Sequence, residues 1–295
     1  MFEQQIINIF QVMKQKQLIF CMGLSAIALF ASCSEHDFDT KPSDNLDKSE
    51  TGKIVLNLNA DASFDVLTRA VNEDNYRNTA NYQVQVFNND NPSNLLVDCK
   101  YSDLNPSELS SLAPGTYTVK AYYGTERNYS RNEFYVEGVK DNITVNAGDQ
   151  ANVSLTCLPT AGKLSVNFAN DMATYYDSYE VSFSQAVAFG GSSIAWNATD
   201  TEPWYVKLNP QGETLRYTIS LTVKDQYAYT DAQGNKKSNG TVTKEFNLQR
   251  NHAYKLNIKP DYTATSDGGL SIIIEIDDET NTPIDVPVEV PISWL

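Results

Sequence analysis

Residues 52–61, Gly-Lys-Ile-Val-Leu-Asn-Leu-Asn-Ala-Asp, alternate strictly: Ile54, Leu56 and Leu58 fall on one side of an extended chain, and Lys53, Asn57 and Asn59 on the other. The stretch returns without a gap at residues 162–171 as Gly-Lys-Leu-Ser-Val-Asn-Phe-Ala-Asn-Asp, and a third time at residues 269–277 as Gly-Leu-Ser-Ile-Ile-Ile-Glu-Ile-Asp. A period of two marks a β-strand, and its recurrence marks an internal repeat. The approach to each later copy also repeats. Ile143-Thr144-Val145, a turn at Asn146-Ala147-Gly148-Asp149 and Val153-Ser154-Leu155 lead to the second. Phe246-Asn247-Leu248, a turn at Arg250-Asn251 and Tyr254-Lys255-Leu256-Asn257-Ile258 lead to the third.

The intervening chain keeps the same period. Tyr82, Val84 and Val86 share one face of a run, Tyr117, Val119 and Ala121 share one face of another, and clusters of Asn, Asp, Gly and Pro separate such runs. Helical spacing is weak and confined to the neighbourhood of Pro106 to Leu112. The reading is all-β: two tandem antiparallel β-sandwiches, residues 52–158 and 159–262, followed by a C-terminal strand segment, 263–295. Leu270, Ile272, Ile274 and Ile276 of that segment would leave an apolar stripe and an open edge if unpartnered. They either pair within the second sandwich or act as a donor strand to another subunit's sheet.

Before the first strand, the chain reads as a targeting segment, residues 1–32, with Met13 a second candidate start. Lys14 and Lys16 precede an apolar run from Leu18 to Phe30, which is shorter than the ~20 residues a membrane-spanning helix needs. Phe30-Ala31-Ser32-Cys33 resembles the bacterial lipobox, whose cysteine receives a diacylglycerol and becomes the first residue of the mature protein. A plain signal peptide and a buried helix are the competing readings. Residues 33–51 are polar and acidic, carry Pro42 and lack apolar periodicity, so they form a disordered tether. Glu35 and Asp37 resemble an export tag for the outer face, which gives an outer-membrane, cell-surface location with the membrane as a partner through the lipid.

With 22 basic and 37 acidic residues the formal charge is −15. Like-charge repulsion excludes a nucleic-acid partner and adhesion to anionic lipid through a basic face. Of four cysteines, Cys21 lies in the targeting segment and Cys33 at its end. Cys99 and Cys157 are left, either as a disulfide worth about 4 kcal/mol or as two free thiols.

Catalysis finds no footing. The two histidines, His36 and His252, fall in the tether and in a predicted turn, and no nucleophile elbow, zincin motif, phosphate loop or Cys-x-x-Cys pair is present. No metal and no cofactor is expected, and the acidic stretches at 88–91 and 277–279 read as solvated turns and surface. Trp196, Trp204 and Tyr205, in the segment from Ile194 to Tyr205, either offer flat faces to a glycan or pack as core and rim.

Several of these features together resemble the fimbrillins and their lipoprotein relatives in Gram-negative anaerobes, including a domain-of-unknown-function group. They are the lipobox, the opening Gly-x-Ile-x-Leu strand, Leu67-Thr68-Arg69-Ala70, the paired sandwiches and the C-terminal strand. Leu112-Ala113-Pro114-Gly115-Thr116-Tyr117-Thr118-Val119 resembles the turn and strand of transthyretin-like sandwiches, so the fold implied is two transthyretin-like or immunoglobulin-like units. The resemblance implies cleavage between Arg69 and Ala70, departure of the strand 52–61, and filling of its groove by another subunit's segment from Gly269 onward. It therefore implies a structural or adhesive surface lipoprotein, a fimbrial subunit assembling with like or unlike subunits by strand exchange. Relatives of unknown function imply the alternative, a monomeric surface lipoprotein that keeps its first strand and binds a glycan, a host protein or another ligand.

Overall fold

The computed structural model describes residues 50–62, 64, 71–184, 192–200, 202–261, 271–278 and 288–291. Cys33, Arg69, Ala70 and Leu270 lie outside these residues.

The first half contains β1 (Lys53–Ala60), a single helical turn α1 (Asp74–Arg77), β2 (Gln83–Asn88), β3 (Asn91–Lys100), β4 (Gly115–Gly124), β5 (Tyr129–Ser130), β6 (Tyr135–Val145) and β7 (Gln150–Pro159). The second contains β8 (Ala161–Phe168), the turn α2 (Met172–Tyr175), β9 (Tyr176–Ser184), β10 (Ser193–Asn197), β11 (Trp204–Lys207), β12 (Glu213–Val223), β13 (Tyr229–Thr230), β14 (Lys236–Lys237), β15 (Asn239–Leu248), β16 (Ala253–Asp261), β17 (Ser271–Asp278) and β18 (Val288–Pro291). The protein is all-β. The weak helical spacing after Pro106 yields one 3-10 turn over Pro106–Leu109, whose start is capped by the Asn105 side chain accepting from the Ser107 N–H at 3.0 Å.

Alternation along the strands sorts the side chains into two cores. Ile54, Leu58, Val84, Val86, Val119, Ala121, Val136, Val153 and Leu155 belong to the first; Leu164, Val166, Val181, Phe183, Trp196, Ile219, Leu256, Ile258, Ile272 and Ile274 belong to the second. In the first half β6, β4, β2 and β3 form one layer in that order. Strand β7 meets β6 at only two rungs, Val136 with Pro159 and Glu137 with Leu158, then pairs with β1 along the whole of β1. Gly138 sits where β6 passes β7. A Cβ there would come 2.8 Å from the Thr156 carbonyl oxygen and 3.0 Å from the Cys157 sulfur. In the second half the core is shared by a four-stranded sheet, β10-β9-β12-β15, and a six-stranded one, β18-β17-β16-β8-β11-β5.

The expected antiparallel pairing holds among the described strands except at two pairs. β1 lies parallel to β7, and β8 lies parallel to β16, with Leu56 opposite Val153 and Val166 opposite Leu256. Alternation is the same for either direction, so the repeat in sequence is silent on it. Parallel partners need a long crossover, and here the rest of each sandwich supplies it.

Cys99 and Cys157 are free thiols. Cys157 is buried and its thiol faces the Ala121 carbonyl at 3.6 Å, whereas Cys99, on β3, stands opposite Val84 with all of β2 between it and Ala121. The two sulfurs therefore have different neighbours, and no bridge joins them.

Two outcomes follow from this packing. Gly138→Val will destabilise the fold by about 1–3 kcal/mol, because backbone on the crossing strand blocks the new side chain; a urea titration of both chains measures it. Burial pushes the Cys157 thiol and the Tyr217 hydroxyl each up to about 12, and raises Tyr82, Tyr135 and Tyr176 as well. Raised folded-state values favour the neutral forms, so this stability is fully present below the ordinary values of 9.0 for the thiol and 10.0 for tyrosine, and is lost as pH climbs towards 12. The urea midpoint should be insensitive to these groups below pH 9.0 and should fall steadily above it.

Candidate functional site

The polar groups with the most defined surroundings gather where the two halves meet. β7 runs into β8 through Thr160 alone, so the second strand copy begins against the first core. Ala161, Tyr205 and Ala253 of the second half accordingly pack in that first core. β5 of the first half pairs with β11 of the second, Ser130 opposite Tyr205 and Tyr129 opposite Val206, so one sheet crosses the junction.

On the other edge of β11, Lys163 of β8 stands opposite Tyr205, and its side chain is 2% exposed. Its Nζ is 2.9 Å from Oε1 of Glu73, itself 11% exposed and placed just before α1. The Tyr205 hydroxyl donates to the same oxygen at 2.6 Å. Aromatic rings enclose the group: Tyr205 stacks on Phe134 at 4.8 Å, Phe134 stacks on Tyr76 at 3.8 Å, and Phe64 meets Phe134 edge-on at 5.1 Å. The Phe64 and Tyr205 centroids stand 6.0 and 5.9 Å from the lysine nitrogen.

A second bridge lies at the rim. Both nitrogens of the Arg131 fork reach Asp200, at 2.5 and 2.7 Å, one of them also reaches the Ala195 carbonyl at 3.3 Å, and the guanidinium covers the Trp204 ring at 4.4 Å. Lys207 binds Glu126 at 2.5 Å, and that hydrogen bond holds the Glu126 carboxyl below its ordinary value. Along the outer side of β1 runs a groove of about 610 Å³, walled by Ile54, Leu56, Tyr101, Leu104 and Leu109, where the Tyr101 hydroxyl donates to the Leu56 carbonyl at 3.3 Å.

The three aromatic residues considered for a glycan are split by the structure. Trp196 is fully buried, its indole N–H donates to the Glu202 carbonyl at 2.8 Å and its ring meets Phe183 edge-on. Tyr205 is buried in the junction, and Trp204 is half-buried beneath Arg131. Trp196 and Tyr205 thus offer no open face, and the three form no platform. Ile272, Ile274 and Ile276 are buried in the chain's own second core, with β16 on one side of β17 and β18 on the other. Glu73, Lys163 and Arg131 were not singled out from sequence. Lys163 aligns with the exposed Lys53 of the first copy, so its letter and spacing carry no sign of burial.

Among the described residues, no three or more His, Cys, Asp or Glu side chains gather to hold a metal ion. No described helix is long and apolar enough to cross a membrane.

A family model described as "Domain of unknown function (DUF4493)" matches residues 50–292, nearly the whole of the chain. The chain belongs to this family. No curated protein matches it significantly. Solved structures similar to this DUF4493 chain include a fimbrial assembly protein from Parabacteroides distasonis ATCC 8503, at 12% identity and a TM-score of 0.40 over 81% of this chain and 99% of that one. Another is the fimbrial anchor protein Mfa2 from Porphyromonas gingivalis, at 10% identity and a TM-score of 0.37 over 77% and 97%.

Arg131→Ala should cost about 1–2 kcal/mol, a value kept low because Asp200 is 42% exposed. Arg131→Lys should recover less than half of it, since an ammonium cannot span both carboxylate oxygens and stack on Trp204 at once. Denaturant unfolding of the three chains measures both.

Proposed function

We propose that this chain is a lipid-anchored protein of the outer cell surface with a structural or adhesive role. The observation that carries the reading is the seat of β17: Ile272, Ile274 and Ile276 fill the chain's own core, β16 pairs along the whole strand and β18 along residues 271–274, so this strand is already taken up within the chain. A folded unit of this kind needs a tether, which residues 33–51 provide, and an attachment, which Cys33 provides through a diacylglycerol. The acidic surface keeps such a unit soluble and away from the anionic membrane it hangs from. Its partners are then other surface subunits or host components rather than nucleic acid, and its work is contact, with no chemistry at a catalytic centre.

A second reading is favoured by one observation. β17 repeats the alternation of β1, and β1 is held by a full strand on one side only, by β7. A cut between Arg69 and Ala70 would leave β1 attached only by its pairing, and the β17 segment of another copy could present the same apolar stripe to the vacated groove. This is a subunit that polymerises by strand exchange.

Cell fractionation tests the first reading. The native chain should sediment with the membrane and be digested by protease added to intact cells, whereas Cys33→Ala should leave the membrane fraction. A Cys33→Ala chain that stays membrane-bound would overturn lipid anchoring. Ladders of the native protein on unboiled gels would move the account to the strand-exchange reading.

A further inference from the structure

We propose that Glu73 and Lys163 are the two halves of an amide cross-link that forms within the folded chain and ties its second half covalently to its first. The two groups are 90 positions apart in sequence, sit on opposite sides of the junction, and are already in contact at 2.9 Å. They are also almost wholly shut off from water. A position in β8 ringed by Phe64, Phe134 and Tyr205 would be filled at lower cost by an apolar side chain, because a buried ion pair repays its desolvation only in part. The equivalent strand position in the first copy, Lys53, points to solvent and meets no such partner. What sets Lys163 apart is therefore its placement against a carboxyl group.

The arrangement contains what the condensation requires. A proton passes from the ammonium of Lys163 to the carboxylate of Glu73, leaving a neutral amine beside a carboxylic acid. The Nζ lone pair then forms a bond to the carboxyl carbon Cδ of Glu73, which lies one bond beyond the oxygen that Nζ already touches. The tetrahedral carbon collapses by breaking one C–O bond. That oxygen leaves as water, taking the proton it had received and one from the attacking nitrogen. Ammonium plus carboxylate become amide plus water, with no oxidant, reductant or activating group consumed. The Tyr205 hydroxyl, 2.6 Å from Oε1, donates to the oxygen on which negative charge builds. Holding amine and carboxyl together in one geometry replaces a slow bimolecular encounter by a step with an effective concentration of roughly 10⁵–10⁸ M for well-aligned groups. Exclusion of water also slows the reverse hydrolysis.

The test uses the natural protein purified from its own membranes, digested and mapped by mass spectrometry, so that processing at either terminus does not matter. The cross-link predicts one branched peptide, joining the segment around Glu73 to the segment around Lys163, lighter than the sum of the two by one water. In a Lys163→Met chain, which keeps the pocket filled with an apolar side chain, both segments should appear separately at full mass. Tyr205→Phe should slow the gain of the branched peptide in freshly made protein. Recovery of the Glu73 and Lys163 peptides only as separate species from aged native protein would overturn the proposal. So would a branched species that persists in Lys163→Met. Neither result bears on the lipid anchor.

Discussion

The parallel pairing of each opening strand with the strand that closes its sandwich is the constraint on which the rest of the structure depends. Leu56 and Leu58 of β1 lie beside Val153 and Leu155 of β7, and Val166 of β8 lies beside Leu256 of β16. Two parallel strands cannot be joined by a hairpin, so everything between them must travel out and return. In the first half that path is the layer β6-β4-β2-β3, and in the second it is the run from β9 to β15. Each excursion covers the apolar face that the parallel pair exposes, and a core is closed. Gly138 is needed where β6 crosses β7 because that return path passes too near for any side chain.

The same constraint brings the halves together. Since β7 closes the first unit and β8 opens the second with only Thr160 between them, no linker separates the cores. β8 starts against the first core, and Lys163 on it is caught there beside Glu73. The pairing of β5 with β11 and the Arg131 fork on Asp200 then close the rim. A pull applied at β1 would pass through this junction before it reached the second half. Backbone pairing, a rim ion pair and a buried polar group act in parallel there.

Much of the fold is legible in the residues. The period-two runs locate the strands, and the three Gly-led copies locate the start of each unit and the extra strand at the end, because alternation follows directly from which face is buried. Four things are not legible, each for a physical reason. Strand direction leaves no mark on alternation, so the two parallel pairs read as antiparallel. Burial of a single residue depends on what crosses above it: Lys53 and Lys163 share letter, a preceding glycine and spacing, yet one is exposed and the other enclosed. Trp196, Trp204 and Tyr205 are large and flat in sequence whether they face a sugar or each other, and it is Phe183, Arg131 and Phe134 that decide the outcome. Cys99 and Cys157 are likewise two cysteines that the sequence alone leaves free to pair, but β2 stands between one and the surroundings of the other.

β17 brings these points to the question of function. Seated between β16 and β18 with Ile272, Ile274 and Ile276 buried, it fills the chain's own second core, and β1 is in place against β7. On the proposed function, such a unit would stay at the surface through Cys33. The measurement that bears on this most directly is the mass of the N-terminal peptide of the mature protein taken from native membranes. The account predicts a single species beginning at a diacylated Cys33, with the strand Gly52 to Asp61 retained. A mature chain beginning at Ala70, with that strand gone, would contradict it.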